Sequence, residues 1–264
     1  MCLILFAIDC HPKYRLVMAA NRDEYYNRQT LPADFWPDNP SILAGRDGYQ
    51  GGTWMGITTS GRLAALTNYR DPSRHNPQAP SRGHLVQRFL ESSVSPETYM
   101  QGLLDEGDRY NGFNLLTGTP ESLYYYSNRE KVVRPLDSGY HAVSNSLLDV
   151  PWPKVTRGIE GLTACLQEAE LDYEDLFALM SDKKYAADSD LPQTGVSLEM
   201  ERMLSSMFIE IPGYGTRSTT ILLIDRENQV QFRERTFFPE EPGTWKDAYY
   251  SFRIQNKINS LEGW

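Results

Sequence analysis

Behind Cys2 the chain runs Leu3-Ile4-Leu5-Phe6-Ala7-Ile8 without a polar residue. A strand of that pattern has no solvent face and belongs in the middle of a layered sheet. Ile221-Leu222-Leu223-Ile224 predicts a second such strand. Other strand patterns fall at residues 15–20, 54–58 and 62–66, then 113–117, 123–127 and 141–144, and finally 219–224, 229–236 and 248–254. Helical spacing takes over at residues 80–108, with Leu85, Val86, Phe89 and Leu90 on one face. It returns through Val155, Ile159, Leu162 and Leu166, over residues 175–180, and through Met200, Met203, Leu204, Met207 and Phe208. Three polar stretches, 32–40, 69–83 and 181–196, are predicted as long loops. Loops of that length line sites as lids or are simply solvated.

Strands, then helices, then strands predict an α+β fold, with sheets carrying helices on their outer faces. No repeat, low-complexity tract or linker divides the chain, so residues 1–264 are expected to form one domain. A net charge of −9 argues against nucleic acid and anionic membrane surfaces as partners. The apolar opening is shorter than a signal peptide and is broken by Asp9. No stretch approaches the roughly 18 apolar residues of a membrane span, so stable membrane insertion is not expected. Cys2, Cys10 and Cys165 are too few for a disulfide framework, which points to a reducing, cytoplasmic setting. His11, His75, His84 and His141 lack zinc-like spacing, and no metal is expected. Oligomeric state is not encoded in any pattern here.

Candidate chemistry begins at Cys2. Removal of Met1 would place a thiol and a free α-amine on one residue. The amine titrates near about 7.7–8.0 and the thiol near about 8.5, so the amine can act as base for its own side chain. Asn21-Arg22-Asp23-Glu24 follows the second strand. If that strand pairs with the first as a hairpin, the tetrad reaches Cys2; a carboxylate there orients the α-ammonium and a guanidinium lowers the thiol pKa. Gly51-Gly52 before Thr53-Trp54-Met55 permits a close backbone approach. Asn68 and Asn145 close strand patterns, where a side-chain amide can meet an oxyanion, and Arg217 stands at the mouth of the strand at 219–224.

These residues carry a resemblance. Met1-Cys2-Leu3-Ile4, Asn21-Arg22-Asp23-Glu24, Gly52-Thr53-Trp54-Met55-Gly56, Leu66-Thr67-Asn68-Tyr69-Arg70, Ser81-Arg82-Gly83, Val143-Ser144-Asn145 and Tyr214-Gly215-Thr216-Arg217-Ser218 resemble the NRDE family. This is the transport-and-Golgi-organization-protein-2 type, and the motifs span nearly the whole chain in order. More distantly the chain is similar to cysteine N-terminal-nucleophile hydrolases, the penicillin V acylase and bile salt hydrolase group. That resemblance implies a four-layer αββα sandwich and an amide- or thioester-hydrolysing site. Cys2 would be nucleophile and base, Asp23 would hold the amine, and Asn68 and Asn145 would assist the oxyanion and the amine. Arg217 would tune the thiolate. Asn21, Arg22, Trp54, Tyr69, Arg70 and Arg82 are then assigned to binding a small acyl substrate. Those hydrolases place an Arg three residues before the Asp, where this chain has Ala20; Arg22, beside Asp23, should face the other way. No cofactor is required. The alternative is a non-catalytic carrier of haem or of an acyl-CoA or lipid on the same scaffold.

Overall fold

The computed structural model describes residues 2–168 and 170–255, so Met1 lies outside it. The chain opens with the hairpin β1 (Cys2–Ile8) and β2 (Tyr14–Tyr25). It continues through β3 (Thr30–Trp36), β4 (Asn39–Asp47), β5 (Met55–Thr58) and β6 (Leu63–Asn68). Helices α1 (Gly83–Glu91) and α2 (Pro96–Glu106) precede β7 (Phe113–Thr119), β8 (Ser122–Ser127), β9 (Val133–Pro135) and β10 (Gly139–Val143). Then come α3 (Pro153–Gln167), α4 (Tyr173–Met180) and α5 (Leu198–Met203). The last strands are β11 (Glu210–Ile211), β12 (Tyr214–Asp225), β13 (Gln229–Phe237) and β14 (Trp245–Arg253).

Two antiparallel sheets form among the described residues. One has the order β10-β1-β2-β12-β13-β14, with β11 on β12; the other is the meander β3 through β9. Ile4, Phe6, Met18 and Leu222 from the first sheet meet Ile57, Ala65 and Leu116 from the second in a core between them. Alternate residues Leu3, Leu5, Val17 and Leu223 pack outward against Val155, Leu162 and Phe177 of α3 and α4. On the far side Leu85, Val86, Phe89 and Met100 of α1 and α2 cover Ala64, Leu66 and Leu115. The layers are therefore αββα. Strands β1 and β12 are apolar on both faces because each face meets a packed layer. Gly158 of α3 permits the close approach of that layer, since a Cβ there would stand 2.5 Å from Leu5 Cδ2. No helix among the described residues is long and apolar enough to cross a membrane.

Several expected elements are corrected. Residues 32–40 form the β3–β4 hairpin instead of a loop. Pro32 and Pro40 are tolerated because they fall where the register shifts, on an edge hairpin. The helical region 80–108 is two helices, because Pro96 starts a new one behind Ser95, whose Oγ accepts from Thr98 N at 3.1 Å. The apolar spacing through Phe208 supports only the short α5, and residues 204–208 leave the helix. β2 runs on to Tyr25, so the tetrad at 21–24 lies within a strand and alternates faces.

The two sheets are also joined by a buried carboxyl. Glu234 is 1% exposed, accepts from Ala33 N at 2.6 Å and from Thr220 Oγ1 at 3.2 Å, and so ties β13 to β3. Glu234→Ala leaves both donors buried and unpaired; urea denaturation should show a loss of about 1–3 kcal/mol.

Candidate active site

A cavity of about 280 Å³ opens at one end of the sandwich, lined from both sheets and by the segment entering α1. Cys2 is directly opposite Arg22 in the β1–β2 pairing, so the two side chains share the face toward the second sheet. Across the gap the Arg22 guanidinium stacks on Trp54, 4.2 Å from the ring centroid. Asn68, at the end of β6, also lines the cavity. Asp23 alternates to the other face, where its Oδ1 accepts from Thr216 Oγ1 at 2.7 Å. The backbone at the head of β1 thus lies between a thiol facing the cavity and a carboxylate facing the helix layer.

Two glycines build the cavity rim. A Cβ on Gly52 would stand 2.6 Å from the Gly83 carbonyl carbon, so only glycine lets the β5 approach meet the start of α1. This contact sets Thr53 against Ser81, Arg82 and Gly83 at the mouth. Arg82 donates to Gly112 O at 2.9 Å, and no side chain caps α1, whose positive end faces the same rim. Arg28 completes the wall, bonded to Asp47 at 2.5 Å and 3.7 Å from Glu24.

Burial pushes the Cys2 thiol up, while Arg22 pulls it down. Burial also pushes the Asp23 carboxyl up, opposed by Lys154, by the Thr216 hydrogen bond and by Arg22. Beneath Asp23 lies a second charged layer. Arg70 Nη1 meets Glu201 Oε2 at 2.6 Å with both side chains buried, and Lys154 is 1% exposed. Asn145 braces this layer: its Nδ2 donates to Asn68 O at 2.9 Å and its carbonyl accepts from Arg70 Nη2 at 3.4 Å.

The loop carrying Ser144 and Asn145 is closed by Asp149, which accepts from Ala142 N at 2.8 Å and meets His141 Nδ1 at 2.8 Å. The Asp149 hydrogen bond holds the imidazole above its ordinary range, against burial. A raised folded value makes this stabilisation full below the unfolded value of about 6.5 and lost as pH rises through the folded one. His141→Asn should therefore destabilise more at about pH 5.5 than at about pH 8.5 in paired urea denaturations.

The sequence profile described as Transport and Golgi organisation 2 matches residues 1–239. The chain belongs to that family. It is 38% identical to the human Transport and Golgi organization protein 2 homolog, over 97% of this chain and all of that protein. It is 28% identical to the Drosophila melanogaster Transport and Golgi organization protein 2, over 98% of this chain and all of that one. Among solved structures it is similar to the C2A mutant of the conjugated bile acid hydrolase from Clostridium perfringens. That match has a TM-score of 0.52 at 9% identity, covering 99% of this chain and all of the other. Another variant of the same hydrolase gives a TM-score of 0.53. The chain thus shares the fold of that hydrolase.

Of the residues expected at the site, Cys2, Arg22, Trp54, Asn68 and Arg82 line the one cavity, and Asp23 borders it although its carboxylate turns to Thr216. Arg22 does face away from Asp23, and that is what puts it beside Cys2. Arg217 is not brought to the thiol. It is the extra residue of a bulge in β12, and its Nη1 donates to the carbonyls of Tyr25, Tyr26 and Arg28, each at 3.1 Å. Asn21 faces the helix layer as a strut, donating to Met180 O at 2.8 Å and Met207 O at 2.9 Å. Tyr69 packs on Gly112 and Arg129, and Arg70 is spent on Glu201, so neither lines the cavity. Asn145 acts from behind Asn68. Arg28, Asp47 and Lys154 carry no expectation from the sequence, and Glu24 enters there only as a member of the tetrad. Only Lys154 left a local signal, a cation in the first turn of a helix where the dipole disfavours it.

Proposed function

We propose that this protein is an N-terminal-nucleophile cysteine hydrolase of a small, polar amide or thioester substrate. The observation that carries the reading is Cys2 on the cavity face, opposite Arg22, with Asn68 across the gap. In the proposed reaction Met1 has been removed. Cys2 Sγ adds to the acyl carbonyl carbon and its proton passes to the α-amine of the same residue. Asn68 Nδ2 donates to the oxyanion, and Asp23 holds the α-ammonium. The ammonium returns its proton to the departing amine or thiolate as the carbon–heteroatom bond breaks. The amine then takes a proton from water, whose oxygen attacks the thioester and releases the acid and the free thiol.

The cavity walls favour this reading over a haem or lipid carrier. Arg22, Glu24, Arg28, Asp47 and Arg82 surround a space of about 280 Å³, a wall far more charged than an apolar ligand calls for. No histidine is among the residues that line the cavity: His141 is held by Asp149, His11 accepts from Lys13 N and Tyr14 N, and His84 Nε2 is engaged by Gln50 O.

The test is mass spectrometry of purified protein incubated with short-chain activated thioesters and amides. The expected spectrum shows Cys2 as the first residue and one acyl group on its peptide. A retained Met1, or the absence of an adduct across the panel, would overturn the mechanism.

A further inference from the structure

The guanidiniums of Arg22, Arg28 and Arg82 line the cavity, and the first two are already matched. Arg28 bonds Asp47 at 2.5 Å and 3.1 Å and stands 3.7 Å from Glu24. Arg22 donates to Thr30 Oγ1 at 3.0 Å, stacks on Trp54 and lies 3.8 Å from Glu24. The other oxygens of those carboxylates are engaged as well. Asp47 Oδ1 accepts from Tyr49 N at 3.0 Å, and Glu24 Oε1 accepts from Tyr25 N at 2.9 Å.

Arg82 is different. It lines the cavity, yet no carboxylate among the described residues pairs with it. Its Nη1 donates to Gly112 O at 2.9 Å, while Nε and Nη2 hold no hydrogen bond among the described residues. Those two nitrogens form the edge of a guanidinium that grips a carboxylate through parallel bonds. The fold gains little from an arginine here. Arg82 is the N-cap of α1, where Ser, Thr, Asp or Asn would satisfy a free N–H and where the helix dipole opposes a cation. Burial lowers its pKa, although a guanidinium stays charged throughout the physiological range. A cation held partly out of water without a counter-charge costs stability until an anion arrives.

We propose that Arg82 is a specificity residue that takes the carboxylate of an anionic acyl substrate whose scissile carbonyl lies at Cys2. A space of about 280 Å³ holds a small ligand, so carboxylate and carbonyl belong to one short molecule. The inference rests on the hydrolase reading for the cleavage, but the anion site is measurable without turnover.

Matched thioesters test it, each pair differing only by a carboxylate in place of its carboxamide. One pair varies the acyl half, glutaryl against glutaramoyl; the other varies the thiol half, β-mercaptopropionate against its amide. Wild type should prefer the carboxylate in at least one pair by roughly ten-fold or more in kcat/KM. In Arg82→Gln, whose amide can still donate to Gly112 O, that ratio should fall to within about three-fold of one, mostly through KM. A role confined to holding the loop or tuning the thiol lowers both members of a pair alike and leaves the ratio unmoved. No preference in either pair, or a preference that survives in Arg82→Gln, overturns the inference. Should Arg82→Gln not fold, Arg82→Lys decides. It keeps the charge without the fork and should cut the preference about three-fold or more; an undiminished preference overturns the inference.

If neither pair is turned over, the hydrolase reading falls, and NMR of full-length protein with labelled arginine judges the anion site. The Arg82 Nε–H signal, identified by its loss in the Arg82 variants, should shift saturably with glutarate and not with glutaramide. A signal indifferent to glutarate then overturns this inference too. Turnover without any carboxylate preference sinks this inference alone.

Discussion

Cys2→Ala is expected to abolish acyl turnover, by roughly 10³-fold or more, while leaving a folded protein. The mutation removes one sulfur from a side chain that is 9% exposed at the end of a strand. The β1 pairings with β2 and β10 are made by the backbone and do not involve the thiol. Its structural cost should thus be about 1 kcal/mol, a small part of the stability of a domain this size. Circular dichroism and urea denaturation should overlay closely with wild type while the acyl adduct disappears. Cys10→Ser and Cys165→Ser should retain turnover, since neither lines the cavity. If Cys2→Ala keeps wild-type turnover, Cys2 is not the nucleophile.

Arg70→Met is expected to produce the largest loss of stability, about 3–5 kcal/mol. The side chains of Arg70 and Glu201 are 5% and 4% exposed, so removing the guanidinium strands a carboxylate away from water. Glu201 also pins Thr194, and Arg70 stacks 5.0 Å from the Trp152 ring and meets Asn145. The damage should therefore spread to the loop at 181–196 and to the support beneath Asn68. Adding Glu201→Gln to Arg70→Met should recover part of the loss, because the uncompensated charge is then gone. Urea denaturation of the two single variants and the double variant measures each arm. A cost below about 1 kcal/mol for Arg70→Met would show that the pair does not hold these elements together.

The corrections at Asn21 and Arg217 share one cause. Expected site residues were placed by assuming that polar groups gather at strand ends, but β2 and β12 both run through their polar motifs. Inside a strand, neighbours part company: Arg22 goes to the cavity, while Asn21 and Asp23 go to the helix layer. At Arg217 the bulge breaks the alternation, which no local sequence pattern announces. Arg28, Asp47 and Glu24 converge on the cavity wall from two strands and the turn after β2, a juxtaposition set by sheet packing.

By itself the sequence determined the layering and the hairpin that opens the chain. Apolar runs with no polar face require a layer on each side, and helices with one apolar face supply the outer two. Those are local patterns, so they are legible without coordinates. Cys2 was likewise marked by its place ahead of such a run. Only the tertiary structure decided which neighbours it has, because the partners of a strand end come from other strands and helices. Asn68 and Arg82 reach the cavity of Cys2 across long sequence separations, through the facing sheet and the α1 rim. Their meeting depends on register, twist and packing, which periodicity along one chain segment does not contain.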